Sequence, residues 1–460
     1  LLLLFLSKST KIAFQRAYLD AFCSNEPVSL NQHSFKASLG MRVPLLAFFL
    51  LLFFTYTTPA YATLPVAAKA NQYATPDHFD HFLGLNLSST SSIQLKTDSL
   101  VVDSTVSGLI PALAYSTDVG LAGGLIWSTL SYGEQEPFKQ NIAVTALAST
   151  KGLAGFNFFL DQPCSFNCVD RLLVNLVGNR FLEDQYYGVF TDQRIDLQKN
   201  PKRFEYQSFT IKVNLEYRIS TKNLAHKSET LFNSLYGFLN TDFQYKTPWG
   251  NDDTQLIMLE KPTGYEGSYG FWLGLGGLID TRDSEFYPRQ GWYSKQQVKG
   301  SLKSVLSDFT QTLFLSDTRF YQEFKLILPI VFAQRISYQW SNSNANTPYW
   351  SYPSLGGEEF LRGYVDNRFL APQFWATNTE LRTWLFESTN YGIKIGGTLF
   401  IDSGSFTDGT IANGDWSANV RYTAGFGGLV SLFSPDFILR VDLGLSEEGY
   451  GIFFSTGMLF

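Results

Sequence analysis

Phe209-Thr210-Ile211-Lys212-Val213-Asn214-Leu215-Glu216-Tyr217-Arg218-Ile219 is the stretch that decides the fold. Ile211, Val213, Leu215 and Tyr217 share one face, and Lys212, Asn214, Glu216 and Arg218 share the other. A repeat of two residues is the signature of an extended strand, whose side chains alternate between faces. The pattern recurs in 437–445, where Leu439, Val441 and Leu443 oppose Arg440 and Asp442. It recurs again in 393–404, where Ile395, Leu399 and Ile401 oppose Lys394, Thr398 and Asp402. A membrane barrel needs lipid-facing apolar residues alternating with polar lumen residues. A soluble sandwich shows the same alternation with its apolar face inward. The length of the segments and an export signal upstream favour the membrane version.

Working outward from this stretch, strand-like segments separated by Gly, Asn, Asp and Ser turns number about 16. The first half reads 108–116, 120–132, 141–150, 153–162, 171–181, 206–220, 233–247 and 267–282. The second half reads 291–304, 308–322, 325–340, 374–386, 391–404, 417–432, 437–446 and 449–460. The expected fold is all-β, a 16-stranded antiparallel transmembrane barrel over 106–460 with a long outer loop folded inward. The long connections 182–205 and 341–373 fall on one side, and turns such as Ser434-Pro435-Asp436 on the other. That asymmetry fits long outer loops and short periplasmic turns.

Composition supports a surface partly out of water. Of 460 residues 45% are hydrophobic and 17% charged, with 41 Phe and 24 Tyr, against roughly 25% charged in soluble domains. A net charge of -6 gives no basis for nucleic-acid binding. After residue 62 no run approaches the roughly 20 apolar residues of a membrane helix. A closed barrel is the other way to satisfy every backbone group in lipid. Met41-Arg42, the apolar run Val43 to Phe54 and Ala60-Tyr61-Ala62 have the layout of a signal peptide over 41–62, cut after Ala62. Residues 1–40 then read as translation upstream of the true start; the alternative is an uncleaved amphipathic extension. Residues 63–105, rich in Thr, Ser, Ala and Asp, read as an exported periplasmic arm. Cys164 and Cys168 form a pair that in an exported protein favours a local disulfide, with two free thiols as the alternative. No metal constellation accompanies them, and no cofactor is expected.

Two segments depart from simple barrel patterning. One is Leu355-Gly356-Gly357-Glu358-Glu359-Phe360-Leu361-Arg362-Gly363-Tyr364 in the long loop, and the other is Phe400-Ile401-Asp402-Ser403-Gly404. Parity puts Phe400 and Asp402 on the polar lumen face, with Asn378, Glu380 and Arg382 on the lumen face of the preceding strand. A loop arginine beside a wall carboxylate in a confined lumen would make a charge-assisted, bidentate bond. Tyr364 could stack on Phe400. The bland alternative is a solvated loop arginine and an ordinary lumen salt bridge.

These segments resemble the BamA/TamA superfamily of outer-membrane assembly and secretion barrels, the surface-antigen family. Leu361-Arg362-Gly363-Tyr364 resembles its sixth-loop motif, and Phe400, Asp402 and Gly404 resemble its Phe-x-Asp-x-Gly wall motif. Glu380 matches the inward glutamate of its twelfth strand. Asp280, Arg282, Asp283, Pro288 and Gly291 resemble its periplasmic turn motif, and the end from Gly425 to Phe460 resembles its C-terminal barrel signal. The resemblance covers about 267–460 and is loose over 108–266. It implies a barrel in a bacterial-type outer membrane, embedded in lipid and lipopolysaccharide. It further implies unfolded outer-membrane or secreted proteins as clients, barrel assembly machinery for the chain's own insertion, and a seam between first and last strands that opens. Family members of known role usually carry periplasmic POTRA domains of roughly 75 residues each. The 43 residues from Thr63 to Thr105 hold no such pattern, so the chain resembles the POTRA-less branch. Glycines such as Gly425 to Gly428 would weaken pairing near the seam.

Two other function classes compete with a membrane-assembly or translocation barrel. A passive pore or surface protein would explain a polar lumen equally well. An outer-membrane enzyme would need a nucleophile–base set, yet the candidate bases after residue 62 are His78, His81 and His226, none with an identifiable partner; the expectation is no catalytic residue. Gly274-Leu275-Gly276-Gly277 reads as packing, since no helix or phosphate-loop lysine follows. Trp272, Trp292, Trp340 and Trp375 read as an interface girdle.

Overall fold

The computed structural model describes residues 90–96, 99–132, 138–163, 165, 170–190, 200–220, 235–250, 252–388, 393–408, 416–417, 419–432 and 438–460. The expected signal peptide and upstream extension, Cys164, Cys168, the three histidines and the turn Ser434-Pro435-Asp436 lie outside the described residues.

A short strand β1 (Thr90–Lys96) precedes the wall. The wall begins with β2 (Ser99–Ser116), β3 (Gly120–Tyr132), β4 (Gln140–Ser149), β5 (Ala154–Pro163), β6 (Asp170–Gln185) and β7 (Glu205–Ser220). It continues with β8 (Leu235–Pro248), β9 (Ser268–Asp280), β10 (Gly291–Ser301), β11 (Gln311–Lys325) and β12 (Pro329–Ser341). The next loop carries the two-residue strands β13 (Ser354–Leu355) and β14 (Phe369–Leu370), paired with each other. The wall resumes with β15 (Gln373–Ser388), β16 (Ile393–Thr407), β17 (Arg421–Leu432), β18 (Ile438–Leu445) and β19 (Tyr450–Thr456). Each wall strand pairs antiparallel with the next, and β19 meets β2 to close a 16-stranded barrel. Two helices of a single turn or so, α1 (Leu256–Glu260) and α2 (Gly357–Phe360), sit in loops at the same end. Among the described residues no helix is long and apolar enough to cross a membrane.

The opening stretch falls on β7 with the orientation of a membrane barrel. Phe209, Leu215 and Ile219 are exposed while Glu216 is buried. The same inversion runs round the wall. Leu125, Trp127, Leu239, Leu275, Val298, Ile336, Leu399 and Phe426 lie exposed outside, and Asn240, Arg335, Asn378, Glu380 and Asp442 lie buried inside. A soluble sandwich would bury the first set, so the apolar outer band identifies lipid as the expected surroundings.

Three expectations are corrected. Residues 99–105, assigned to an irregular arm, are continuous with β2, and 90–96 pair with them as β1; their Thr/Ser-rich composition hides strands built on backbone pairing. The last strand stops at Thr456 rather than running to the end, because Gly457 takes a φ of 82° and turns the chain out of the ladder. Trp272 is not a girdle residue. It is buried inside against Phe309 and Trp350, while Trp292 is exposed as expected.

The interior is concentrated under the loops. The loop after β12 contributes Leu355, Phe360, Leu361, Tyr364 and Phe369, packed on Phe374, Ala376 and Phe406 of the wall. A second cluster joins Leu370 and Tyr349 of that loop to Tyr186, Tyr206 and Ile257. The loop after β6 packs Phe190 against the first cluster, and the Phe190 N–H donates to the Leu370 carbonyl at 2.6 Å. Burial of this many aromatic and aliphatic side chains fixes the loop inside the barrel mouth.

Candidate functional site

The local geometry begins with two glycines. Gly356 and Gly357 have φ values of 137° and 70°, which other residues rarely adopt. They turn the chain into α2, and the N–H of Leu361 then donates to the Gly357 carbonyl at 3.1 Å. The turn delivers Arg362 to the wall. Gly363 follows because a Cβ there would stand 2.7 Å from the backbone of Leu445.

Arg362 is fully buried, and its guanidinium uses most of its donors. Nε donates to Asp402 Oδ2 at 2.8 Å and Nη2 to Asp402 Oδ1 at 2.6 Å, a parallel pair. Nη1 donates to Glu380 Oε1 and, at 3.1 Å, to Asp442 Oδ2. The guanidinium plane lies 3.4 Å from the centroid of the Phe400 ring. Thr423 Oγ1 donates to Asp402 Oδ2 at 3.1 Å. Asn378 donates to the carbonyl of Phe360 at 2.8 Å, holding the turn just before the arginine.

Two further arginines balance the carboxylates. Arg440 donates to Glu380 Oε1 at 2.5 Å and to Asp442 Oδ2 at 2.7 Å. Arg382 donates to Glu380 Oε2 at 2.7 Å. Three guanidiniums thus face Glu380, Asp402 and Asp442, and the cluster is neutral. Neutrality matters because charges taken out of water are tolerated only when paired and hydrogen-bonded. A second pin lies above: Arg368 donates Nε and Nη2 to the two oxygens of Glu448, both at 2.7 Å. Arg335 of β12 adds a third, donating to the Glu359 carbonyl at 3.0 Å and to Asp317.

The structure therefore brings together Leu361, Arg362, Gly363, Glu380, Phe400, Asp402 and Gly404. Gly404 makes room for Leu355, which a Cβ would approach to 3.1 Å. The expected stacking of Tyr364 on Phe400 is corrected: the arginine occupies that ring, and Tyr364 packs edge-on against Phe369 at 5.3 Å. Gly425 also has a different role from the one expected. Its ladder to β16 and β18 is intact, and a Cβ there would overlap the Phe400 ring, so the glycine admits that ring. Arg440 and Asp442 were legible as lumen-facing by parity, but nothing in the spacing tied them to Arg362.

The turn motif is a separate construction at the opposite end. Arg282 pairs with Asp280 at 2.8 and 2.7 Å, and Asp283 accepts from the backbone N–H of Arg289 at 2.8 Å. Pro288 is buried, and Gly291 has a φ of 109° where a Cβ would overlap the Thr281 carbonyl. Phe460 lies inside the barrel, buried with Tyr321 and Ala333, and its main-chain oxygen accepts from Arg382 Nη2 at 2.9 Å.

Among curated proteins none matches the chain. Among solved structures it is similar to BamA from Haemophilus ducreyi lacking POTRA domains 1-3, with 12% identity, 80% of this chain and 75% of that chain covered, and a TM-score of 0.52. It also aligns with CdiB from Acinetobacter baumannii, at 12% identity, 81% and 65% coverage and a TM-score of 0.46. For CdiB from Escherichia coli the figures are 11%, 83% and 70%, and 0.49. The likeness to the BamA barrel is one of fold. The Omp85 superfamily domain matches residues 154–460, and the chain belongs to that superfamily.

Proposed function

We propose that this barrel inserts proteins into, or moves them across, a bacterial outer membrane. The observation that carries the reading is the seam. β19 pairs with β2 through Phe453 and Phe454 opposite Ser116 and Tyr115, whereas β2 and β3 pair throughout 104–116. An unpaired backbone group in hydrocarbon costs several kcal/mol, and an open strand edge is a template for an incoming strand. A weak seam is thus where a client strand would add. Membership of the Omp85 superfamily supports the same class of function.

In this reading residues 41–62 are the export signal and the long loop faces outward, toward lipopolysaccharide. The motif turn at 281–290 faces the periplasm, and Phe460 belongs to the signal read by the machinery that assembles this barrel. The Arg362 cluster holds the loop inside the lumen beside β18 and β19, keeping the mouth filled while the seam opens.

Reconstitution of the chain in liposomes with an unfolded barrel protein tests the proposal, with Arg362→Ala alongside. Faster client insertion than into empty liposomes, lost in the variant, supports it. No acceleration by a correctly folded barrel would sink it for that client.

A second reading, a pore for small solutes, draws on a lumen cavity of about 420 Å³ lined by Lys212, Glu216, Asp242, Lys295, Lys299 and Trp272. Steady conductance in planar bilayers without any client would favour it.

A further inference from the structure

Four neighbouring strands break the rule that the outer face of the wall is apolar. On β7 that face reads Ile211, Val213 and Leu215, and on β9 it reads Leu273, Leu275 and Ile279. On β10 it reads Trp292, Ser294, Gln296 and Val298, with Lys295 and Lys299 turned to the lumen cavity. β11 presents Phe314, Ser316, Thr318 and Phe320. β12 presents Gln334, Ile336 and Tyr338, and β15 presents Thr377, Thr379 and Leu381. The orientation is fixed by exposed Trp292, Val298, Ile336 and Leu381 and by buried Leu313, Tyr321, Arg335 and Glu380.

The polar residues form one patch at mid-strand. The registers place Thr318 opposite Ser294, Ser316 opposite Gln296, and Gln334 opposite Thr379. Gln296 Nε2 donates to Ser294 Oγ at 3.1 Å, and Ser294 Oγ shares a hydrogen bond with Thr318 Oγ1 at 3.0 Å. Gln334 Nε2 donates to Thr377 Oγ1, and Thr379 Oγ1 donates to Gln334 Oε1 at 2.7 Å. Among the described residues Gln296 Oε1 and Ser316 Oγ have no hydrogen-bond partner. Rings bracket the patch along β11. Phe320 packs on Trp292 at 4.6 Å on one side, and Phe314 on Tyr338 at 6.2 Å on the other. The patch thus lies within the apolar band, where hydrocarbon offers a polar group no partner.

Three features point to a second copy of this chain as the cover. Every polar member is uncharged, and the set carries both donors and acceptors, so the patch complements itself without like-charge repulsion. A copy inserted in the same sense and turned about an axis along the membrane normal presents its own patch at the same depth, as an isologous two-fold interface requires. Four strands about 4.8 Å apart over a core about 30 Å thick give a face on the order of 600 Å², comparable with the roughly 800 Å² that each partner gives to a stable interface.

We propose that two copies of the chain pack together in the membrane through β10, β11, β12 and β15, with Gln296 and Ser316 of each copy hydrogen-bonding across the two-fold axis. β16, β17, β18 and β19 separate this face from the junction of β19 with β2, so the pairing leaves the seam free. It stands on the outer face alone and depends on no client.

Cross-linking and energy transfer in vesicles test the pairing. In the full chain with Cys23, Cys164 and Cys168 replaced by serine, Ser316→Cys is expected to form a disulfide between copies in the membrane-embedded, heat-modifiable barrel. Leu239→Cys, exposed on the outer face of β8, is expected not to. Equal yields at the two positions, or none at Ser316→Cys, overturn the proposal. Energy transfer between labelled copies, followed as phosphatidylcholine is added, then measures the strength of association. Gln296→Leu with Gln334→Leu suits the face to lipid and keeps the barrel folded, so the midpoint should move to a protein-to-lipid ratio about tenfold higher. A midpoint unchanged in a heat-modifiable double variant, or wild-type copies that stay single at every ratio, also overturns it. Dimers that insert no client leave the pairing standing and remove only the insertion function, and single barrels that insert one remove only the pairing.

Discussion

A Cβ on Gly444 would stand 2.5 Å from the carbonyl carbon of Arg362. The backbone of the loop arginine lies directly on β18, and a Cβ on Gly451 of β19 would overlap the same carbonyl. These two glycines are the floor on which the loop rests, as much a part of the site as the carboxylates.

Gly444→Ala should therefore lift the loop without touching any charge. Overpacking of this kind costs about 1–3 kcal/mol. The expected outcome is faster proteolysis within 342–372 while the barrel keeps its heat-modifiable migration on gels. Unchanged cleavage would show that the backbone there yields freely.

Arg362→Ala should loosen the loop more. It leaves Glu380, Asp402 and Asp442 facing Arg382 and Arg440, and an uncompensated buried charge costs about 3–5 kcal/mol. Arg362→Lys keeps the charge but cannot offer two parallel donors to Asp402 while reaching Glu380 and Asp442. The expected order of loop cleavage is wild type slowest, then lysine, then alanine. Lysine equal to wild type would mean that charge alone holds the loop.

How much of this was legible in the sequence differs by residue. Period two located the wall strands, since each needs one face for lipid and one for the lumen, and β3 falls where the pattern put it. Parity alone turned Glu380 and Asp402 inward. Parity could not supply distance around the barrel, so Arg440 and Asp442, on a strand two further along from Asp402, were not joined to the cluster. Nor could alternation reveal that Phe460 leaves the wall, because Phe454, Thr456 and Met458 continue the pattern through the Gly457 turn. The place of Trp272 is hidden because tryptophans at a lipid interface and beneath a packed loop look alike in sequence.

The loops also carry a pH dependence. Asp118, in the turn between β2 and β3, has its pKa pushed up to about 7, first by burial and then by Asp366 beside it, with Lys151 opposing. A carboxyl whose folded pKa lies above its ordinary value of 3.8 favours the fold while it is neutral. Its stabilising contribution is full below about pH 4 and is lost as pH rises through about 7. Asp118→Asn should flatten the fall in stability between these limits and make the variant the more stable protein at pH 8. Identical pH slopes for the two chains would argue that Asp118 is ionised throughout.

The most direct test of the central claim is to lock the seam. Tyr115→Cys and Phe454→Cys occupy directly opposed positions on β2 and β19. With the native cysteines replaced by serine, client insertion into liposomes is measured for the oxidised and the reduced barrel. The account requires at least a tenfold slower rate when the bond is closed, restored by reductant. An oxidised barrel that inserts its client as fast as the reduced one would contradict it.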